Sequence, residues 1–150
     1  MHILNLPEYE FKYKAYDNLI FIFDKIRKKY ILLTEEEYVR QHFVEFLIKE
    51  KKFPASLIKI EAGIKVNGLS KRGDIVLYNN KGKAIMIVEC KSPSVNINQD
   101  VFDQIAIYNI NLKVDYLITT NGIKHYCCKI NHSDKTYQFL ENIPEYKEIS

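Results

Sequence analysis

Apolar and polar residues alternate in three short runs near the amino terminus, Phe11–Ala15, Leu19–Phe23 and Tyr30–Leu33, with Asp17-Asn18 between the first two. Alternation at period two turns one side of a strand toward a core, and an Asp-Asn pair is turn chemistry, so residues 9–33 predict a small β-meander. Thr34, followed by Glu35, Glu36 and Glu37, then supplies a helix N-cap and a capping-box glutamate, with acids where the helix dipole favours them. Val39, Phe43, Phe46 and Leu47 recur at helical spacing, and the charged run Lys49–Lys52 before Pro54 ends that helix.

The pattern then returns to strands. Leu57–Val66, Asp74–Tyr78 and Ala84–Glu89 are rich in β-branched and aliphatic residues, and turn signals stand at Asn67-Gly68 and Asn79–Gly82, which predicts antiparallel strands in succession. The last two are apolar on both faces, with Ile75, Leu77, Met86 and Val88 on one side and Val76, Ile85 and Ile87 on the other. Helices must therefore cover both faces. A helix over Gln99–Leu112, a strand over Tyr116–Thr120 ending at Asn121-Gly122, and strands near His125–Ile130 and Tyr137–Leu140 complete the reading. The fold class is α/β: a mixed central sheet flanked by helices in the order α-βββ-α-β, preceded by the meander.

Length and composition narrow this further. At 150 residues and 47% hydrophobic content the chain can bury one sizeable core, and no repeat or Gly/Pro/Ser-rich linker divides it. We read one domain over 1–150, with an N-terminal β extension at 1–33, a core at 34–130 and a C-terminal strand and tail at 131–150. Uninterrupted apolar runs reach only about five residues, far short of a bilayer span. The first residues lack the pattern of a secretion signal, and an odd number of cysteines, with Cys127 and Cys128 adjacent, fits a reducing cytoplasm. The net charge of +3 permits a local basic patch without demanding a nucleic-acid partner.

Candidate chemistry follows from strand register. If Asn80–Lys83 form the hairpin loop, Asn79 faces Ala84 and Asp74 faces Glu89; alternation puts Glu89 and Lys91 on one face and Cys90 on the other. Two carboxylates can hold a hard divalent cation, and an ammonium can neutralise charge on phosphate oxygens, which is the equipment of phosphodiester hydrolysis. The same three residues would also make an ordinary strand-end ion pair. Glu61, on the preceding strand, stands as a further acid near the cleft or as a strand-edge polar residue. Lys59, Lys65, Lys71, Arg72, Lys91 and Lys124 are candidates for a phosphate channel with Tyr108 and Tyr126 for stacking, or simply scattered surface charges. His125, Cys127, Cys128 and His132 invite a zinc reading, but adjacent cysteines on a strand point to opposite faces.

Gly73-Asp74, then Glu89-Cys90-Lys91 at the end of an apolar strand, resembles the signature of the PD-(D/E)XK nuclease superfamily, with glycine at the proline position. Glu36–Gln41 (EEYVRQ), Lys71–Asp74 (KRGD) and Val88–Pro93 (VECKSP) resemble more closely the N-terminal nuclease-like domain of type I restriction enzyme R subunits, over roughly residues 30–130. The resemblance implies a restriction-endonuclease-like core and a Mg²⁺ site, with Mn²⁺ as a substitute. Asp74 and Glu89 would be the metal ligands, Lys91 a catalytic cation, and Glu36 the accompanying helix glutamate. It further implies a Q-x-x-x-Y pair, Gln104 and Tyr108, which with Arg72 would contact substrate. DNA is the implied partner, in a homodimer or a larger restriction or defence assembly. The sequence contains no G-x-x-x-x-G-K-[ST] loop, so the translocase motor of such enzymes is not among these residues. Two alternatives share the fold: a catalytically silent nucleic-acid-binding or protein-interaction module, and a DNA repair or junction-resolving nuclease.

Overall fold

Tyr13–Tyr16 (β1), Leu19–Asp24 (β2) and Lys29–Leu32 (β3) form the antiparallel meander. Tyr16 pairs with Leu19 across a turn in which Asp17 (φ 52°) and Asn18 (φ 63°) are both left-handed, the geometry whose twist matches a hairpin. A computed structural model describes residues 2–66 and 69–150, the side chains of 65, 66, 69–72 and 108 excepted. The expected turn at Asn67-Gly68 lies outside the described residues.

Thr34 caps α1 (Glu35–Lys49) by accepting from the Glu37 amide at 3.0 Å. The second half of the expected capping box is missing, because the Glu37 carboxylate accepts instead from Arg40 Nη1 (2.7 Å), Gln41 Nε2 (2.7 Å) and Arg27 Nη2 (2.9 Å). Glu37 is buried, and a buried carboxylate gains more from charged donors than from one exposed amide.

The meander region is tied to α1 by ion pairs from Arg27 to Glu37 and from Lys25 to Glu45, and Ile22 of β2 is buried. The helix carries Val39, Phe43, Val44 and Leu47 onto the main sheet.

That sheet has the order β4 (Ile58–Val66), β5 (Leu69–Tyr78), β6 (Ala84–Cys90), β7 (Tyr116–Thr120), β8 (His125–Asn131) and β9 (Thr136–Leu140). All neighbours are antiparallel except β6 and β7, which are joined through α2 (Gln99–Asn109). Ile75, Leu77, Met86 and Val88 pack under α1, whereas Val76, Ile87, Leu117 and Cys128 pack with Phe102 and Ala106 of α2. Each face of the central strands is thus covered, as two-sided apolar strands require. The second helix is shorter than its pattern predicts: residues 110–112 tighten into a 3-10 turn and Lys113 (φ 54°) ends the run. A short terminal helix, α3 (Tyr146–Ile149), was not foreseen, and its Tyr146 sets an edge against Phe53.

The β5–β6 hairpin corrects one expectation and keeps the consequence drawn from it. Ile75 pairs with Val88, Val76 with Ile87 and Leu77 with Met86, but a bulge shifts the register so that Tyr78 pairs with Ala84. Asn79 therefore faces Lys83, to whose carbonyl its amide donates at 2.8 Å, instead of Ala84. The Asn79 side chain closes the tighter loop by accepting from the Lys81 and Lys83 amides, with Gly82 at φ 82°. The extra residue turns Ile85 onto the α1 side, opposite to its expected face. Toward the other end of the hairpin the expected register holds as far as Ile75 and Val88, and one residue further along it sets Asp74 opposite Glu89.

Candidate active site

The site forms at the carboxyl ends of the parallel pair β6 and β7, the edge of an α/β sheet where ligands characteristically bind. Three acids stand in one row across adjacent strands. On β4 and β5, Ile60 pairs with Ile75 and Ala62 with Gly73, leaving the Glu61/Asp74 row open where Glu61 adopts φ 54°. One strand further, the ladder ends at Ile75 and Val88, and the Asp74 carboxylate itself takes the next amide, Cys90 N–H, at 2.7 Å. Glu89 in turn pairs with Thr119 of β7. The left-handed backbone at Glu61 is a strained conformation for a non-glycine residue, of the kind that clusters at functional sites.

Arg40, one turn into α1, reaches Glu61 and Asp74 of this row from the helix side. Its Nη2 lies 3.3 Å from Asp74 Oδ1, 3.6 Å from Glu36 Oε1 and 3.7 Å from Glu61 Oε1, while Nη1 donates to Glu37. Arg27, carried by the β2–β3 turn, approaches the same acids at 3.7 Å from Glu61 and 2.9 Å from Glu37. Asp24, buried at the root of that turn, holds Arg27 through its guanidinium and amide. A cleft of about 700 Å³ opens here between the meander and the core, lined by Ile31, Leu32, Glu36, Arg40, Glu61 and Ser92 among others.

Burial dominates the electrostatics of these carboxylates. Burial pushes the Asp74 pKa above its ordinary value, opposed by the Cys90 amide and Arg40 and reinforced by Glu89. Glu36 is also raised, by burial first and then by the charge of Asp74, with Arg40 and Lys91 opposing. Asp74, Glu36 and Lys91 therefore share one electrostatic neighbourhood. Asp24 behaves in the opposite way: burial alone would raise it, but hydrogen bonds from Arg27 and Gln41 outweigh that and lower it.

Each residue singled out from sequence can now be placed. Asp74 and Glu89 are neighbours across β5 and β6, and Glu36 reaches the row from the first turn of α1. Lys91 follows β6, with its amide bound to the Thr120 carbonyl at 2.8 Å and its side chain half-buried. Gln104 is exposed on α2. The side chains of Tyr108 and Arg72 lie outside the described residues. Cys127 packs under α1 and Cys128 under α2, both thiols pushed up to about 12 by burial, and His125 uses both ring nitrogens on Thr120 and Asn5. No zinc site forms among the described residues.

Sequence reading passed over three residues. Arg40 stood inside the quoted EEYVRQ run, but nothing in the spacing shows that it would turn toward Asp74. Arg27 comes from a segment remote in sequence. Asn121, read as a turn residue, donates to the Val95 carbonyl (2.8 Å) and accepts from the Ile123 and Lys124 amides, clamping the loop after Lys91 to the β7–β8 turn.

Oxygen donors alone occupy the row and the neighbouring Glu36, and Asp74 and Glu36 are held above their ordinary pKa, which suits a hard divalent cation. Among the described residues no three His, Cys, Asp or Glu groups form a ready-made cage. Mg²⁺ does not require one, since it commonly takes one or two carboxylates and completes its shell with water and substrate phosphate.

Fold and site together define an α/β domain with an arginine-contacted row of acids at the ends of its central strands. The chain belongs to the family described as Type I restriction enzyme R protein N terminus, which matches residues 35–144. It is also similar in fold to a fragment assigned as an HsdR subunit of a type I restriction enzyme from Vibrio vulnificus YJ016, at 22% identity and a TM-score of 0.53. The match covers 78% of this chain and 24% of the Vibrio chain, so the protein spans about a quarter of that structure's length. No curated protein sequence matches it.

Proposed function

We propose that the protein is a Mg²⁺-dependent DNA phosphodiesterase of PD-(D/E)XK type, with Mn²⁺ able to replace Mg²⁺, working in restriction or a related defence assembly. The observation that carries this reading is the row Glu61, Asp74 and Glu89 across three adjacent strands, joined by Glu36 and adjacent to Lys91. Asp74 and Glu89 would hold the cation, and Glu36 and Glu61 would act on it directly or through water. Bound there, the ion would polarise the phosphate and activate a water. Lys91 places an ammonium where negative charge develops on the phosphate oxygens. Gln104, facing solvent, would contact DNA only outside the cleft, and Tyr108 and Arg72 remain candidate phosphate contacts.

The test is cleavage of plasmid, linear and single-stranded DNA in Mg²⁺ and in Mn²⁺ by the wild type, Asp74→Asn and Lys91→Ala. Each variant should lose on the order of a hundredfold or more in rate. Equal cutting by all three proteins would assign the activity to a contaminant and end the proposal.

A second reading, a catalytically silent binding module, draws on one observation: Arg40 already neutralises Asp74 at 3.3 Å. A folded protein with no calorimetric signal for Mg²⁺ or Mn²⁺ would favour it.

A further inference from the structure

The meander is buried on one side only. Ile22 and Asp24 of β2 are buried on the inner face, and strand alternation with the observed pairings Lys14↔Phe21, Tyr16↔Leu19, Phe21↔Leu32 and Phe23↔Tyr30 gathers these residues on the opposite, outer face. Tyr16 is 72% exposed, and Leu19, Tyr30 and Leu32 are exposed with it. Lys14, Tyr16, Phe21 and Tyr30 line a shallow groove of about 360 Å³.

The lysines interleave with the rings. Lys14 Nζ stands 5.6 Å from the centre of the Tyr30 ring and Lys12 Nζ 6.0 Å from that of Phe23, while Phe23 and Tyr30 pack against each other at 5.2 Å. Between residues 12 and 33 there are six basic residues and two acids, whereas the whole chain carries a net charge of only +3. The outer face also runs into the cleft, because Leu32 belongs to both.

We propose that the outer face of β1–β3 is a single-stranded DNA platform, on which Tyr16 and Tyr30 stack unpaired bases and Lys12 and Lys14 hold the backbone as one strand is led past Leu32 to the acids. An unpaired base offers a flat π-face to each ring, and stacking of this kind is stronger than an exposed ammonium-over-ring contact. A base can therefore displace Lys14 from Tyr30, and the released ammonium is left beside the adjoining phosphate. The lysines equally oppose the alternative of a second copy of this face, since like charges would meet across an apolar contact. The choice of DNA rests on the function proposed above; the stacking geometry does not.

The experiment is fluorescence anisotropy with a short labelled single-stranded DNA in EDTA, so that binding is read without metal or cleavage. The full chain is compared with Tyr16→Ala/Tyr30→Ala, Lys14→Glu and Asp74→Asn. The double tyrosine variant should bind roughly tenfold or more weakly, with little change on duplex DNA. Lys14→Glu should weaken binding and flatten its salt dependence. Asp74→Asn should bind the single strand at least as well as the wild type, because it lies outside the platform and loses a negative charge.

Three results would overturn the platform: no single-strand binding by the wild type, wild-type affinity in the tyrosine variant, or a tighter complex with RNA of the same sequence. A tyrosine variant that passes from dimer to monomer with unaltered DNA affinity would give the face to a second copy instead. Loss of cleavage in Asp74→Asn alongside an intact tyrosine variant would sink the platform and spare the nuclease. Cleavage unaffected by Asp74→Asn would do the reverse.

Discussion

At Gly73 there is no room for a side chain. A Cβ would lie 2.8 Å from Val76 Cγ2 and 3.2 Å from Ile87 Cγ2, and neither valine nor isoleucine can swing aside in a close-packed sheet core. The residue also stands in the β4–β5 ladder opposite Ala62, where proline would bring no amide. Glycine at this position is therefore what lets Asp74 follow directly into the row. Gly73→Ala should destabilise the fold by about 1–3 kcal/mol, the usual scale of overpacking. Val76→Ala in the same chain should cost less than it does in the wild type, because it vacates the clashing atom. Urea unfolding of the two single variants and the double variant measures that coupling, and strict additivity would remove the steric account. That Asp74 and Glu89 come together with Lys91 close by was legible in sequence, since alternation and a hairpin register suffice to make them neighbours. The reach of Arg40 to Asp74 and the backbone turn at Glu61 were not, because one depends on how a helix is set over a sheet and the other on a left-handed backbone that no spacing records.

The elements carry a different lesson, centred on the joint between the meander and α1. Asp24, Arg27, Glu37, Arg40 and Gln41 form one buried chain of charge-assisted bonds, and Lys25 adds an ion pair to Glu45. The meander's strands and the helix cap were plain from periodicity, yet periodicity said nothing of this joint. Polar positions inside α1 read as a solvent face until a second sheet is known to cover them. Its pH dependence has a definite sign. The folded Asp24 carboxyl is held below its ordinary 3.8, so its contribution is complete above that value and is lost as pH falls through the lower folded value. Asp24→Asn should therefore lower stability at neutral pH, by about 1–3 kcal/mol for a broken buried charged hydrogen bond. The gap to wild type should close as the solution is taken below about pH 4. Urea titrations across that range check it, and a gap independent of pH would show that Asp24 acts by shape alone.

For the molecule as a whole, Asp74 and Glu36 are a local weakness that the proposed cation would relieve. Asp74 and Glu36 are both raised above their ordinary 3.8 and 4.5, so ionising them at neutral pH works against folding, and stability from these two groups is regained as pH falls through their folded values. Arg40 offsets part of that repulsion but must serve Glu37 as well, and its buried Nε has no hydrogen-bond partner among the described residues. An ion that binds the folded row and not the open chain should stabilise the protein by RT ln(1 + [L]/Kd), roughly 1.4 kcal/mol at ten times Kd. For a domain of this size that is a rise in Tm of about 3–6 °C. Mn²⁺ or Mg²⁺ at neutral pH should give this shift in the wild type, lose it in Asp74→Asn, and lose it again in acid, where protons compete for the same oxygens. Because the cleft is walled by both the meander and the core, the gain should appear as slower amide exchange in β3 and the first turn of α1 together. A melting temperature indifferent to either ion, in a protein whose other properties are intact, would separate this acidic row from metal chemistry.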